Sequence, residues 1–358
     1  MASDRTAPVQ GQIFMRAFWD PVQLGHTPRF FLVRGQVRPN YEVPARAEAL
    51  LDACRDLGLG LNDPGPLDMT AVTRVHDPAF VAFLRDGVHA WEHLPDRGPE
   101  MVANAHPAPE VLAHAAPPRH VVGQLGWYTA DCACPIGAGT WPAVAAAASC
   151  AIAAADAALG PERVAYALAR PPGHHAYRAR AGGHCYLNNA AIAAQRLRDR
   201  GAERVAVLDI DSHHGNGTQG LFWDRNDVLF VSVHGDPSGY YPWFTGFAHE
   251  RGAGPGDGLT LNLPLALGSD DAAWITAIEA GMRAINAFNV DALVVSLGFD
   301  ASEHEPLNAL SVTADGFARA GHAIGQFQGP VAIIQEGGYA VDWIGRLFSR
   351  FMTGFARG

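Results

Sequence analysis

The stretch "VAVLDIDSHHGNGTQ", Val205–Gln219, decides how this chain is read. It opens on Val, Ala and Leu, as a strand buried on both faces would, yet it carries Asp209 and Asp211. It then discharges into Ser212, His213, His214, Gly215 and Asn216. Burying an unpaired, ionised carboxylate costs several kcal/mol at least. Something at the end of this strand must compensate for two of them, and a metal ion is the simplest candidate.

Similar apolar runs recur along the second half of the chain. Strands are expected at 164–169, 205–211, 228–234, 292–299 and 331–336, and helices at 141–159, 190–200, 270–288, 313–327 and 341–355. Strands apolar on both faces and separated by helices indicate a mainly parallel sheet covered on both sides. In such sheets the ligand site lies beyond the carboxyl ends of the strands. Four polar stretches fall there: "RPPGHH" (Arg170–His175), "DIDSHHGNG" (Asp209–Gly217), "LGFDAS" (Leu297–Ser302) and "EGGY" (Glu336–Tyr339).

Asp209, Asp211 and His213 are spaced by two, so on an extended backbone they share a face. Asp211 and His213 can then reach one ion, with Asp300 as a third ligand from a later strand. Two carboxylates and one imidazole suit zinc with a position left open, and Fe(II) also accepts such donors. His174 and His175 are acid–base candidates, because histidine titrates near neutrality and a partner fixes its tautomer. Asp209 is placed to orient one of them and Asn216 the other. Tyr339 follows Gly337 and Gly338, which permit close backbone approach, and its phenol suits stabilisation of an oxyanion.

Bulk composition sets outer limits. The chain has 358 residues, is 48% hydrophobic, and carries a net charge of −10, which argues against general nucleic-acid binding. All 26 basic residues are arginine. An odd number of cysteines (Cys54, Cys132, Cys134, Cys150, Cys185), no CxxC pair and no signal peptide point to free thiols and a cytoplasmic setting. The longest apolar runs, such as 144–159, are Ala-rich and short for a bilayer, so no membrane association is expected. Residues 1–11 read as a flexible tail and 12–358 as a single catalytic domain. Within it, 88–140 is a long Pro-, His- and Gly-rich excursion whose His93, His106, His114 and His120 are too irregularly spaced for a metal site. "HDPAF" (His76–Phe80) is a helix start with Asp77 as N-cap and Pro78 at N1, and His76 reads as structural.

Taken together, "RPPGHHA", "GGHCYLNNAAIAAQRL", "LDIDSHHGNGTQ", "VSVHGDP", "VVSLGFD" and "EGGYAV" resemble the histone deacetylase superfamily, particularly its acetylpolyamine amidohydrolase branch, from about Met15 onward. The resemblance implies an arginase/deacetylase-like three-layer α/β/α fold with a central, mainly parallel eight-stranded sheet. It implies zinc on Asp211, His213 and Asp300, with His175 as general base and acid. His174 becomes an electrostatic partner held by Asp209, Asn216 supports His175, and Tyr339 donates to the tetrahedral intermediate. A structural potassium ion is implied near Asp209, Asp211, His213, Ser232 and Val233. The long excursion is implied to form the active-site rim and the interface of a homodimer or dimer-based oligomer. The substrate would be a small-molecule amide.

Two departures bear on that substrate. The channel, formed by His184, Tyr241, Gly183, Gly337 and Gly338, has histidine at His184 where an aromatic wall is usual. In "TADCACPIGAGTW", Ala133 stands where polyamine enzymes carry a glutamate for the distant ammonium; Asp131 is close enough to substitute, while Arg178 and Arg180 bring positive charge to the mouth. The expectation is a small N-acyl amine or other small secondary amide, neutral or anionic, with a true acetylpolyamine or acetyl-lysine deacetylase as the alternative. An arginase-type dimetal enzyme would need further Asp/His ligands and has no use for Tyr339. A metal-dependent binding protein would have no use for the histidine pair.

Overall fold

Successive residues of a strand point to opposite faces, so a run that is apolar at every position can hold up two cores at once. That is how this chain is built. The computed structural model describes residues 15–307 and 309–358; the tail expected at 1–11 lies outside them. Among the described residues ten strands form: β1 Arg16–Phe18, β2 Phe30–Val33, β3 Gln36–Pro39, β4 Gly60–Asn62, β5 Val164–Ala167, β6 Val205–Asp209, β7 Val228–Gly235, β8 Thr260–Leu265, β9 Ala292–Leu297 and β10 Val331–Gln335. Eight of them make one sheet in the order β4-β1-β5-β10-β9-β6-β7-β8, while β2 and β3 pair separately as a hairpin. Every pairing in the large sheet is parallel, not merely most of them.

Alternate residues divide the strands between two cores. Ala165, Ala167, Val205, Val207, Val294 and Ile334 pack on one side, under the helices Thr140–Ala158 and Asn189–Asp199. Tyr166, Leu168, Ala206, Leu208, Val295 and Ile333 pack on the other, under Pro44–Asp56, Asp271–Phe288, Ala314–Gly325 and Val341–Phe355. The result is the expected three-layer α/β/α arrangement. The helix Thr140–Ala158 is long and apolar enough to cross a membrane by length and composition, but 72% of its apolar window is buried inside the molecule.

The five expected strands all form, and most stop a residue or two short of the expected end because the chain turns there to present polar groups. The strands β1, β4 and β8 and the β2–β3 hairpin lie beyond what the apolar pattern predicts. The excursion at 88–140 is less irregular than expected. It carries short helices at Pro109–Leu112 and Val121–Trp127, and Met101 bridges Ile136 across its base. The helix Pro78–Glu92 begins as expected, with the Asp77 carboxylate accepting from the N–H groups of Ala79 and Phe80. His76 is structural: buried, it donates from Nδ1 to the Tyr177 carbonyl at 3.0 Å and accepts at Nε2 from the Asn188 N–H at 2.8 Å.

The last two helices lie almost backbone to backbone. A Cβ on Gly321 would run into the Phe351 carbonyl and lie 2.9 Å from the Phe355 nitrogen. Gly321→Ala should therefore lower stability by about 1–3 kcal/mol, as overpacking does, read as a lower urea midpoint. An unchanged midpoint would show that the helix pair tolerates separation.

Candidate active site

The four polar stretches emerge from β5, β10, β9 and β6, which are consecutive neighbours in the middle of the sheet. Their carboxylates Asp209, Asp211, Asp300 and Glu336 are all fully buried. Backbone N–H groups from the surrounding loops turn in to meet them. Asp211 Oδ1 accepts from the His213 N–H (2.9 Å) and Oδ2 from the Gly337 N–H (2.9 Å). Asp300 Oδ1 accepts from the Ser212 N–H (2.7 Å). Glu336 Oε2 accepts from the N–H groups of Gly173 (2.7 Å) and His174 (3.1 Å), and so fixes the histidine loop.

Asp211, His213 and Asp300 each offer one ligand atom, and these atoms lie within 4.8 Å of one another. His213 Nδ1 sits 2.8 Å from Asp300 Oδ2 and 3.2 Å from Asp211 Oδ1. Burial opposes a proton on His213, but the two carboxylates outweigh it and push the group up to about 9. A cation held there would take the place of that proton. The backbone gives way to the carboxylates as well: a Cβ on Gly337 would lie 2.6 Å from an oxygen of Asp211 and of Asp300. Two hard oxygens and one imidazole, buried and converging with glycine beside them, fit a divalent metal ion.

The histidine pair lies beside this cluster. His174 Nδ1 donates to Asp209 Oδ2 at 2.9 Å, and its Nε2 is 3.8 Å from Asp211 Oδ1. His175 Nδ1 is 2.6 Å from Asn216 Oδ1. The Asn216 amide nitrogen donates to the Tyr177 hydroxyl at 2.8 Å, and its oxygen faces His175. His175 is therefore protonated at Nδ1, leaving Nε2 as its basic atom. Burial works against charge on His174, yet Asp209 and Asp211 hold it well above the usual histidine range. His175 is driven well below that range, first by burial and then by the charges on His174 and His213.

Tyr241 approaches His175 edge-on at 4.9 Å, and Tyr240 stacks on His213 at 4.5 Å. His184 lies edge-on to Tyr339 at 5.7 Å, with its Nε2 buried and unpartnered. Gly183 has φ +54°, and a Cβ there would strike the His175 ring. Tyr339 is buried, which pushes its phenol well above the usual tyrosine range and keeps the hydroxyl a donor.

The structure changes the expectation for Asp131. Its carboxylate takes the Tyr241 hydroxyl (2.6 Å) and the N–H groups of Gly183 (3.0 Å) and Ala133 (2.8 Å). It ties Tyr241 to the turn at Gly183. Ser232, expected near a potassium ion, has its hydroxyl 2.8 Å from His234 Nδ1. Arg178 is exposed and Arg180 half-buried in the loop that follows His175.

Several contributors carry no clear signal in the sequence. Glu336 stands there only as the first letter of "EGGY". Arg46 reaches 292 residues along the chain to the Gly338 carbonyl (2.5 Å) and also binds the Glu336 carbonyl (2.7 Å). Its guanidinium lies 4.7 Å from the Tyr339 ring centre. Glu42 pairs with both Arg46 (2.7 Å) and Arg170 (2.9 Å) in the interior. The spacing of four between Glu42 and Arg46 is the one available hint.

A model of the histone deacetylase domain matches residues 40–355. The acetylpolyamine amidohydrolase of Burkholderia pseudomallei (strain 1710b) is 44% identical over 343 residues, covering 95% of this chain and 98% of that protein. Acetylpolyamine amidohydrolase 2 of Pseudomonas aeruginosa is 42% identical over 331 residues, covering 92% and 95%. The crystal structure of acetylpolyamine aminohydrolase from Burkholderia pseudomallei superposes with a TM-score of 0.91 at 43% identity, covering 95% of this chain and 98% of that one. This chain therefore belongs to the histone deacetylase superfamily, on its acetylpolyamine amidohydrolase branch, and is a deacetylase-like hydrolase of amide bonds.

Proposed function

We propose that the chain hydrolyses the amide of a small N-acyl amine, or another small secondary amide, with zinc held by Asp211, His213 and Asp300. Fe(II) suits the same donors. The observation that carries this reading is the buried triad of ligand atoms lying beside a histidine whose Nε2 is left basic. When bound, the cation supplies Lewis acidity toward the amide carbonyl and water. His175 takes a proton from the attacking water at Nε2, while Asn216 holds its Nδ1–H. His174, anchored on Asp209, keeps a positive charge beside it. The Tyr339 hydroxyl donates to the carbonyl oxygen as that oxygen gains charge. His175 then returns the proton to the departing nitrogen, giving an amine and a carboxylate. Asp209, Asp211, His213, Ser232 and Val233 form the region that would hold a structural potassium ion, partly through backbone carbonyls.

The substrate's far end is read as neutral or anionic. Ala133 offers no charge, the Asp131 carboxylate already takes the Tyr241 hydroxyl and the Gly183 N–H, and Arg178 and Arg180 add positive charge to the loop that follows His175. The second reading, an acetylpolyamine substrate, is favoured by the names of the relatives.

Exhaustive chelation should abolish turnover and added zinc restore it, with Asp300→Asn binding zinc poorly; full activity after chelation would end the metal reading. Asn216→Asp puts a carboxylate beside His175 Nδ1, which favours the imidazolium and raises its pKa. Because a base must be neutral to act, the acid limb of the kcat/KM profile should move to higher pH. A limb that stays put would remove His175 from the role of base. Uncharged N-alkyl acetamides should be turned over at least as well as N-acetylputrescine of equal length. A large preference for acetylputrescine would favour the second reading.

A further inference from the structure

A donor to a developing charge works only if it is held still, and Tyr339 fills that role in the proposed reaction. Yet Tyr339 stands on a turn built for mobility. Gly337 and Gly338 precede it, and Gly338 has φ +114°. Arg46 fixes one side of this turn through the carbonyls of Glu336 and Gly338. The other side is fixed by Glu305, a residue to which neither the sequence nor the mechanism gives a part.

Glu305 is buried, at 4% exposure, and its carboxylate points into the turn. Oε1 accepts from the Tyr339 N–H at 2.8 Å, while Oε2 lies 3.1 Å from the same nitrogen and 3.2 Å from that of Ala340. Ala340 caps the helix Val341–Phe355, so the Glu305 side chain also meets the open N–H groups at that helix's start. The loop carrying Glu305 is itself seated. The Glu305 N–H bonds the Ser302 carbonyl at 3.1 Å, and the His304 ring stacks on Trp343 at 3.6 Å. That loop begins at Asp300. One short segment thus supplies a metal-ligand candidate at one end and the tether of Tyr339 at the other.

We propose that Glu305 is a positioning residue for amide hydrolysis, holding the Tyr339 backbone so that its hydroxyl meets the oxyanion. The proposal rests on Tyr339 being that donor. Its signature is in kcat, because the bond it protects is made in the transition state and not in substrate binding.

A double-mutant cycle on the zinc-loaded enzyme tests it. Tyr339→Phe should lower kcat on the order of 100-fold, as loss of one oxyanion donor does. Glu305→Ala should lower kcat roughly ten- to a hundredfold, the scale of a small misplacement, with KM and zinc content unchanged. In the Tyr339→Phe background the same substitution should cost less than about twofold, because the two act as a unit. Glu305→Gln, which keeps one acceptor oxygen, should recover most of the loss. Wild-type kcat in Glu305→Ala, equal losses in both backgrounds, or loss of zinc would overturn the proposal. Should Glu305→Ala fail to fold, Glu305→Asp replaces it in the same cycle: a loss that vanishes in the Tyr339→Phe background supports the proposal, and an equal loss in both overturns it. If Tyr339→Phe is itself fully active, the reading of Tyr339 has failed, and the proposal with it. If Tyr339→Phe is impaired and Glu305 is uncoupled from it, the proposal alone has failed.

Discussion

Four carboxylates without solvent, gathered at the ends of adjacent strands, set the terms for everything around them. Asp209, Asp211, Asp300 and Glu336 repel one another in a medium of low dielectric. The loops are shaped by the need to answer that charge. Backbone N–H groups of Gly173, His174, Asp211, Ser212, His213 and Gly337 all turn inward to the four side chains. His174 and His213 add protons of their own. A cation bound by Asp211, His213 and Asp300 would displace the His213 proton and supply that positive charge itself.

Adjacent residues of one type end up with opposite character here. His174 has a carboxylate on its Nδ1 and His175 an amide oxygen, and only the former is held charged. The distinction comes from the partners and not from exposure, since both rings are buried. Tyr177 takes the other end of the Asn216 amide.

The central strands and the residues at their ends are legible in the sequence, for one shared reason. A strand apolar on both faces has no cause to carry Asp209 or end on Asp300 unless the chemistry needs it. The edge strands β4 and β8 are not legible, because each has one neighbour and several exposed or half-exposed residues, which blurs the apolar pattern. Arg46, Glu305 and Glu336 stay hidden for a different reason. Apart from Glu42, four residues before Arg46, their partners in the site lie 34 to 292 residues away and are mostly backbone atoms, which local spacing does not reveal. Asp131 has a structural partner that its sequence neighbourhood does not announce: it accepts from the hydroxyl of Tyr241, 110 residues on.

The strand order has a bearing on how the protein is made. β5 and β6 follow each other in the chain but are separated in the sheet by β10 and β9, which are synthesised after both. A nascent polypeptide leaving the ribosome with residues 164–235 complete would hold only part of the pocket, its acidic loops facing a gap. Translation must pass residue 335 before the middle of the sheet can be filled. The convergence of Asp211, His213 and Asp300 is thereby tied to the synthesis of β9 and β10.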